Sequence, residues 1–209
     1  MPAARVFHDQ GATPRELFPP GTSRCVFYRT RATVHRYIAR FDAKRLLIFT
    51  DGACSNNGSY DARGGCVVSF ALEDTGPTGE AHAHTSNRAE LRAVIAALQY
   101  RTWSKERFQS LVIATDSEYV VKGATVWSDR WMRNGWRLSN GENVRNQDLW
   151  ELLLDVISTQ KEYGLNVEFW RIPRGLNMKA DSLAKTAAAQ TIQLPSRSFS
   201  ISVKVTRTE

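Results

Sequence analysis

The stretch Leu46-Leu47-Ile48-Phe49-Thr50-Asp51-Gly52-Ala53-Cys54-Ser55-Asn56-Asn57-Gly58 determines how the rest of the chain is organised. It opens with five mostly branched or aromatic residues, a run typical of a strand buried in a sheet. The run ends at a carboxylate, Asp51, and the Gly, Ser and Asn residues that follow predict a turn. A carboxylate at a strand end is held rigidly and still reaches solvent, although Asp is also a common turn-capping residue. Asp51 is therefore a candidate functional residue.

Three further acids stand where a predicted element begins or ends. We expect Glu90 in the first turn of a helix that opens near Ser86, where a negative charge suits the helix dipole. Asp116 follows a second apolar strand at 111–115, and Asp181 lies near the start of an alanine-rich helix.

The four acids are expected to meet at one edge of the sheet. If the two apolar strands are parallel neighbours, Asp51 and Asp116 emerge at the same edge. Four carboxylates gathered there would repel one another unless cations neutralise them. Ligands that are all oxygen suit a hard ion such as Mg²⁺ or Mn²⁺.

Six short blocks follow one another in a fixed order across about residues 46–190. The blocks are Thr-Asp-Gly-Ala-Cys at 50–54, Ser-Asn-Arg-Ala-Glu-Leu at 86–91, Thr-Asp-Ser-Glu-Tyr-Val at 115–120, Asn-Gly-Trp at 134–136, Asn-Gln-Asp-Leu-Trp at 146–150 and Asn-x-x-Ala-Asp-x-Leu-Ala at 177–184. Together they resemble type 1 ribonuclease H, and six blocks in order are far more specific than one. The resemblance implies an α/β fold with a five-stranded mixed sheet flanked by helices. Its first three strands, at 46–50, 64–72 and 79–85, would be antiparallel and the others parallel.

The same resemblance implies an activity and a cofactor. Such enzymes are metal-dependent endonucleases that cut the RNA strand of an RNA–DNA hybrid and leave 3′-hydroxyl and 5′-phosphate ends. By resemblance, Asp51, Glu90, Asp116 and Asp181 are both the catalytic and the metal-binding residues. Two Mg²⁺ ions are expected, with Mn²⁺ able to substitute. Asp51 would bridge both ions, Glu90 and Asp116 would hold one, and Asp181 the other.

A second group of residues matches the family's substrate contacts. Asn57 and Asn87 would bind 2′-hydroxyl groups of the RNA strand, because an amide both donates and accepts hydrogen bonds. Arg88 is a weaker candidate, and Thr85 and Ser86 could hold a DNA phosphate. The alternative for the two asparagines is turn formation and helix capping.

Residues 125–145 are rich in tryptophan and arginine, and in many relatives this segment is a protruding handle that touches the DNA strand. The substrate candidates here are Trp127, Arg130, Arg133 and Arg137. The alternative is that the tryptophans pack helices together. We expect both, with Trp131 and Trp136 mainly in the core and the arginines on phosphates.

The sequence departs from the family pattern in the loop before the last acidic helix, where many relatives carry a histidine. Residues 170–177 contain none, and all four histidines, at 8, 35, 82 and 84, precede Glu90. Arg174 occupies this region as a candidate phosphate contact, since arginine stays protonated and cannot act as a base.

The positive charge is concentrated near the N-terminus. Residues 1–45 carry nine Lys or Arg against three Asp or Glu, whereas the rest of the chain is almost neutral. The proline- and glycine-rich part at 1–22 predicts a disordered or irregular arm. Residues 23–45 predict a basic strand or hairpin on the sheet edge, with nucleic-acid contact as the alternative. Residues 46–190 would be the catalytic domain, and the alternating tail at 191–209 a further strand.

Composition also bears on location and assembly. Three cysteines without metal-like spacing fit reduced intracellular thiols. We therefore expect a monomer in the nucleus or cytoplasm, with no membrane segment. A mitochondrial location is the alternative, although Asp9 and Glu16 argue against a mitochondrial presequence.

Three function classes compete. An active hybrid nuclease is favoured because the same blocks supply four acids and two substrate residues. A non-catalytic hybrid-binding module would not need all four acids. A nuclease domain of a mobile-element polyprotein or a resolvase shares the fold, but the handle and the asparagines argue against a resolvase, and the lack of polymerase sequence argues against a polyprotein.

Overall fold

The computed structural model describes residues 4–27, 30–55, 63–66, 83 and 85–189. Asn57, most of the predicted strand at 79–85, and the tail at 191–209 lie outside the described residues. The predicted strand at 64–72 is described only as far as residue 66. No helix within the described ranges is long and apolar enough to cross a bilayer.

A six-stranded mixed sheet forms the centre of the fold. The strands of the protein are β1 Arg5–Val6, β2 Pro20–Phe27, β3 Thr30–Ala39, β4 Asp42–Phe49, β5 Gly52–Ser55, β6 Arg63–Cys66, β7 Ser110–Thr115 and β8 Asn166–Arg171. The order in the large sheet is β1-β8-β7-β4-β3-β2, with parallel pairing from β1 to β4 and antiparallel pairing from β4 to β2. β5 and β6 form a separate antiparallel pair.

The mixed sheet confirms the predicted fold class, but its antiparallel strands differ from those expected. The sequence predicts residues 64–72 as the partner of the strand at 46–50. In the structure β3 takes that place, with Tyr37 opposite Leu47. A tight turn at 40–41 joins β3 to β4, so the preceding segment is the nearest available antiparallel partner. Residues 52–55, predicted as a turn, form β5 instead.

Six α-helices complete the described fold. They are α1 Pro14–Leu17, α2 Ser86–Gln99, α3 Glu118–Lys122, α4 Ser128–Arg133, α5 Gln147–Glu162 and α6 Met178–Ala189. A π-helical turn at Gly123–Trp127 separates α3 from α4. At Gly123, a Cβ atom would lie 2.0 Å from the ring of Trp150, so this close contact requires glycine.

The central strands are buried on both faces, and their side chains alternate between two cores. Ile113 and Phe169 point into the larger core with α2 and α5. Val112, which precedes Ile113, and Trp170, which follows Phe169, point into a smaller core on the opposite face. This alternation follows from the two-residue period of a strand.

The N-terminal arm builds the smaller core. Phe18 is fully buried, Phe7 packs against Trp170 with ring centroids 5.0 Å apart, and the Trp170 Nε1–H donates to Asp9 Oδ2 at 2.9 Å. Between residues 4 and 19 the arm has a two-residue strand and a four-residue helix joined by irregular backbone. It packs on the sheet because burial of its aromatic area is favourable.

The basic segment forms a hairpin, β2 and β3, at one edge of the sheet. Part of its charge is used within the protein. Arg36 pairs with Glu106 at 2.5 Å, and Arg45 lies 3.4 Å from Glu168. These arginines therefore serve the fold.

Candidate active site

The carboxyl ends of β4 and β7 bring the first two acids together. The strands are parallel, and Phe49 lies opposite Ala114 in the last register pair. The Thr50 N–H donates to the Ala114 carbonyl at 2.9 Å. Asp51 and Asp116 therefore leave the sheet at the same edge, as the sequence predicts.

Glu90 reaches this edge because α2 packs directly on Gly52. A Cβ atom built on Gly52 would lie 2.1 Å from the carbonyl carbon of Ala89 and 2.2 Å from the main-chain nitrogen of Glu90. Only glycine allows this approach. Glu90 is the fifth residue of α2, just past the first turn in which the sequence predicts it. The Ser117 hydroxyl donates to its Oε2 at 2.5 Å.

The fourth acid, Asp181, lies in the first turn of α6 and contacts two positively charged side chains. Arg174 approaches its Oδ1 at 2.8 Å and Lys185 its Oδ2 at 2.6 Å. The Lys185 hydrogen bond is the main cause that keeps the pKa of Asp181 below its ordinary value.

The acids at the sheet edge change one another's proton affinity. Burial, followed by the charge of Asp116, raises the pKa of Asp51 to about 6. Burial also raises the pKa of Glu90 to about 7, although the Ser117 hydrogen bond opposes the shift, and Asp51 and Asp116 add to it. Arg174 lowers both pKa values through its positive charge. The edge is thus a place where bound positive charge is favourable.

This donor set fits a hard divalent cation. The donors are carboxylate oxygens, and their mutual repulsion would be relieved by bound ions. As they stand, no three acidic, His or Cys side chains of the described residues are grouped closely enough to enclose an ion. Asp181 is itself engaged by Arg174 and Lys185.

Comparison with known proteins identifies the family. The ribonuclease H family model matches residues 43–189, which contain all four acids. The chain belongs to the ribonuclease H family.

Individual relatives agree with the family assignment. A ribonuclease H of Cyanothece sp. is 39% identical over 147 residues, covering 68% of this chain and 88% of the relative. A ribonuclease H of Hahella chejuensis is 34% identical over 154 residues, covering 71% of this chain and 97% of the relative. A foamy viral protease–reverse transcriptase in complex with RNA/DNA hybrid matches with a TM-score of 0.50 at 21% identity, over 68% of this chain and 20% of that chain, and supports the fold alone. The chain is accordingly a ribonuclease H-type enzyme, which makes it a hydrolase and an endonuclease.

The structure separates the predicted substrate residues of this ribonuclease H near α2. Asn87 is exposed on the second residue of the helix. The helix-capping role falls to Thr85, whose hydroxyl accepts the Arg88 N–H at 3.3 Å. Ser86, between Thr85 and Asn87 in the chain, is half-buried. Asn57 lies outside the described residues.

Arg88 is placed differently from its prediction as a substrate contact. It is 3% exposed, and its guanidinium donates to both carboxylate oxygens of Asp148 at 2.9 and 2.7 Å. A buried charge must be paired, and Asp148 at the start of α5 is that partner. Arg88 therefore ties α2 to α5 inside the ribonuclease H fold.

The handle segment (residues 125–145) divides between core and surface. Trp131 is buried, with ring centroids 5.8 Å from Trp127 and 5.3 Å from Trp150. Trp127 is half-buried, and both Trp127 and Trp136 pack on the larger core. The three predicted substrate arginines, Arg130, Arg133 and Arg137, are exposed.

Two contributors to the site escaped the sequence reasoning. Asn177 is 1% exposed, and its side-chain amide binds Asp116. Ser117 binds Glu90. Both lie inside the blocks that carry the resemblance. Ser117 directly follows Asp116, and Asn177 is four residues before Asp181, so their positions in the sequence could have indicated a role at the site.

Proposed function

We propose that this enzyme hydrolyses the RNA strand of RNA–DNA hybrids and leaves 3′-hydroxyl and 5′-phosphate ends. The observation that carries the proposal is the convergence of Asp51, Glu90 and Asp116 at one sheet edge, where burial and mutual repulsion raise the pKa of Asp51 and of Glu90. Bound divalent cations would relieve the same repulsion.

The four acids would together bind two cations. Asp51 would contact both, Glu90 and Asp116 would hold one, and Asp181 the other. When bound, the cations supply activation of water and stabilisation of charge at phosphorus and at the departing oxygen. Mg²⁺ fits the oxygen-only donors, and Mn²⁺ fits the same set.

The protein's own residues would orient the duplex. Asn87 is exposed beside Glu90, so its amide can bind a 2′-hydroxyl in the shallow minor groove, and Asn57 would do the same. The exposed arginines of the handle, Arg130, Arg133 and Arg137, would bind phosphates of the DNA strand. Arg174 would exchange Asp181 for a substrate phosphate once ions are bound. We further propose a monomeric, intracellular enzyme.

Matched duplexes test the proposal. RNA–DNA, RNA–RNA and DNA–DNA duplexes of one sequence are incubated with and without Mg²⁺, and Asp116→Asn serves as the inactive control. We expect Mg²⁺-dependent cleavage of the RNA strand of the hybrid, with ends that a ligase or kinase assay identifies. Failure to cleave the hybrid in Mg²⁺ or Mn²⁺, or equal cleavage by Asp116→Asn, would overturn it.

Substitution of the asparagines tests the substrate preference. Asn57→Ala and Asn87→Ala should weaken hybrid cleavage more than binding to DNA duplex, because each lost hydroxyl partner costs about 1–3 kcal/mol. Equal losses on both duplexes would remove these residues from hybrid recognition.

A further inference from the structure

Asn177 connects three of the chain segments that carry the acids. Its side-chain amide nitrogen donates to the Thr50 carbonyl at 3.1 Å and to Asp116 Oδ1 at 2.8 Å. Its main-chain carbonyl accepts the Asp181 N–H at 3.0 Å. One uncharged residue therefore binds the peptide group just before Asp51, the carboxylate of Asp116 and the first turn of α6.

The chemistry of the amide fixes which way it points. Both groups that its nitrogen contacts are acceptors, so the carboxamide oxygen cannot take the nitrogen's place. That oxygen is buried and accepts no hydrogen bond from the described residues. A buried acceptor without a partner lowers stability, so this position is not optimised for stability alone.

We infer that Asn177 is a positioning residue that sets the direction of the Asp116 carboxylate and fixes α6, with Asp181, against the end of β4. It prepares the acids for cations without adding a charge of its own. The inference rests on the proposed function, since it assigns Asn177 a role only through the metal-binding acids. Residues that orient metal ligands in this way typically change metal affinity or activity by about 10–100-fold when replaced.

Two substitutions separate positioning from packing. Asn177→Ala removes both donated hydrogen bonds. Asn177→Asp keeps the shape of the side chain but replaces the donor with an acceptor facing Thr50 and Asp116, so it remains informative if the alanine variant unfolds. Gln160→Ala is the matched control, because its side-chain amide also donates to a main-chain carbonyl, that of Leu98 at 3.2 Å, away from the acids.

The primary measurement is Mn²⁺ affinity without nucleic acid, followed by the loss of the free-ion electron paramagnetic resonance signal. Unfolding midpoints without metal, and kcat and KM on a hybrid, are measured on the same proteins. We expect both Asn177 variants to bind Mn²⁺ at least about tenfold more weakly and to lose kcat by a similar factor. KM for the hybrid should stay within about twofold of wild type, and Gln160→Ala should match wild type in affinity and kcat.

The outcomes distinguish this inference from the proposed function. Wild-type protein that neither binds Mn²⁺ nor cleaves the hybrid overturns the proposed function and the inference with it. A functional wild type beside Asn177→Asp or Asn177→Ala with unchanged Mn²⁺ affinity and kcat overturns the inference alone. So does a loss of stability without a loss of affinity, because packing would then be the whole role.

Discussion

At the residue scale, burial and the charges of neighbouring acids raise the pKa of two carboxyl groups and make their ionised forms costly to the fold. The pKa of Asp51 is raised from 3.8 to about 6 and that of Glu90 from 4.5 to about 7. Between the ordinary and the raised values the folded protein keeps protons that the unfolded chain has released. The free energy of unfolding without metal therefore falls as pH rises through this window, and the loss is complete above about pH 7.

Replacement of Asp51 by asparagine should remove part of that loss. We expect metal-free Asp51→Asn to have an unfolding midpoint about 2–4 °C above wild type at pH 7.5, the shift that roughly 1 kcal/mol produces in a chain of this length. The difference should shrink toward pH 4, while cleavage is abolished. Asp155→Asn, an exposed acid on α5, is the control. A pH-independent difference, or near wild-type cleavage, would contradict the assignment of Asp51.

At the element scale, the packing of α2 on β5 determines where Glu90 lies. Gly52→Ala would place a methyl group 2.1 Å from the Ala89 main chain, so α2 must shift. We expect a loss of about 1–3 kcal/mol in the free energy of unfolding and a fall in kcat. Gly21→Ala is the control, because its nearest new contact, the Arg36 carbonyl at 3.6 Å, is an ordinary one. Equal stability and kcat in the two variants would show that the close approach does not position Glu90.

The handle segment allows a test of phosphate binding at the same scale. We expect replacement of Arg130, Arg133 and Arg137 by glutamine to reduce the slope of log affinity against log salt by about two to three, roughly 0.9 for each lost phosphate contact. Arg15→Gln, an exposed arginine on α1, is the control. Binding is measured with Asp116→Asn protein so that the hybrid stays intact. An unchanged slope would remove the handle from the binding surface.

At the scale of the whole molecule, the N-terminal arm belongs to the fold. Phe18 is fully buried, so Phe18→Ala should lower the free energy of unfolding by about 3–5 kcal/mol. Phe41, at the turn between β3 and β4, is 90% exposed, and Phe41→Ala should stay within about 0.5 kcal/mol of wild type. Urea unfolding of both variants measures the difference. Two variants of equal stability would mean that the arm contributes nothing.

The sequence predicts those features that depend on neighbouring residues and on strand order. Asp51 and Asp116 could be placed because apolar runs end at them and parallel strands share an edge. Arg88 could not, because its partner Asp148 lies 60 residues away and nothing local distinguishes it from a residue that faces substrate. The packing of the arm could not be predicted for the same reason, since Phe18 and Trp170 come together only in the folded chain.

The pairing of β1 with β8 has a consequence for synthesis. Asp9 and Trp170 are 161 residues apart, so the smaller core cannot close until β8 has left the ribosome. At about 5–20 residues per second, the arm waits roughly ten seconds or more with its phenylalanines unpaired. Contacts of such long range also slow folding in the free chain. The arm is thus made long before the strand that it pairs with, and during that interval Phe7 and Phe18 lack their contact with Trp170.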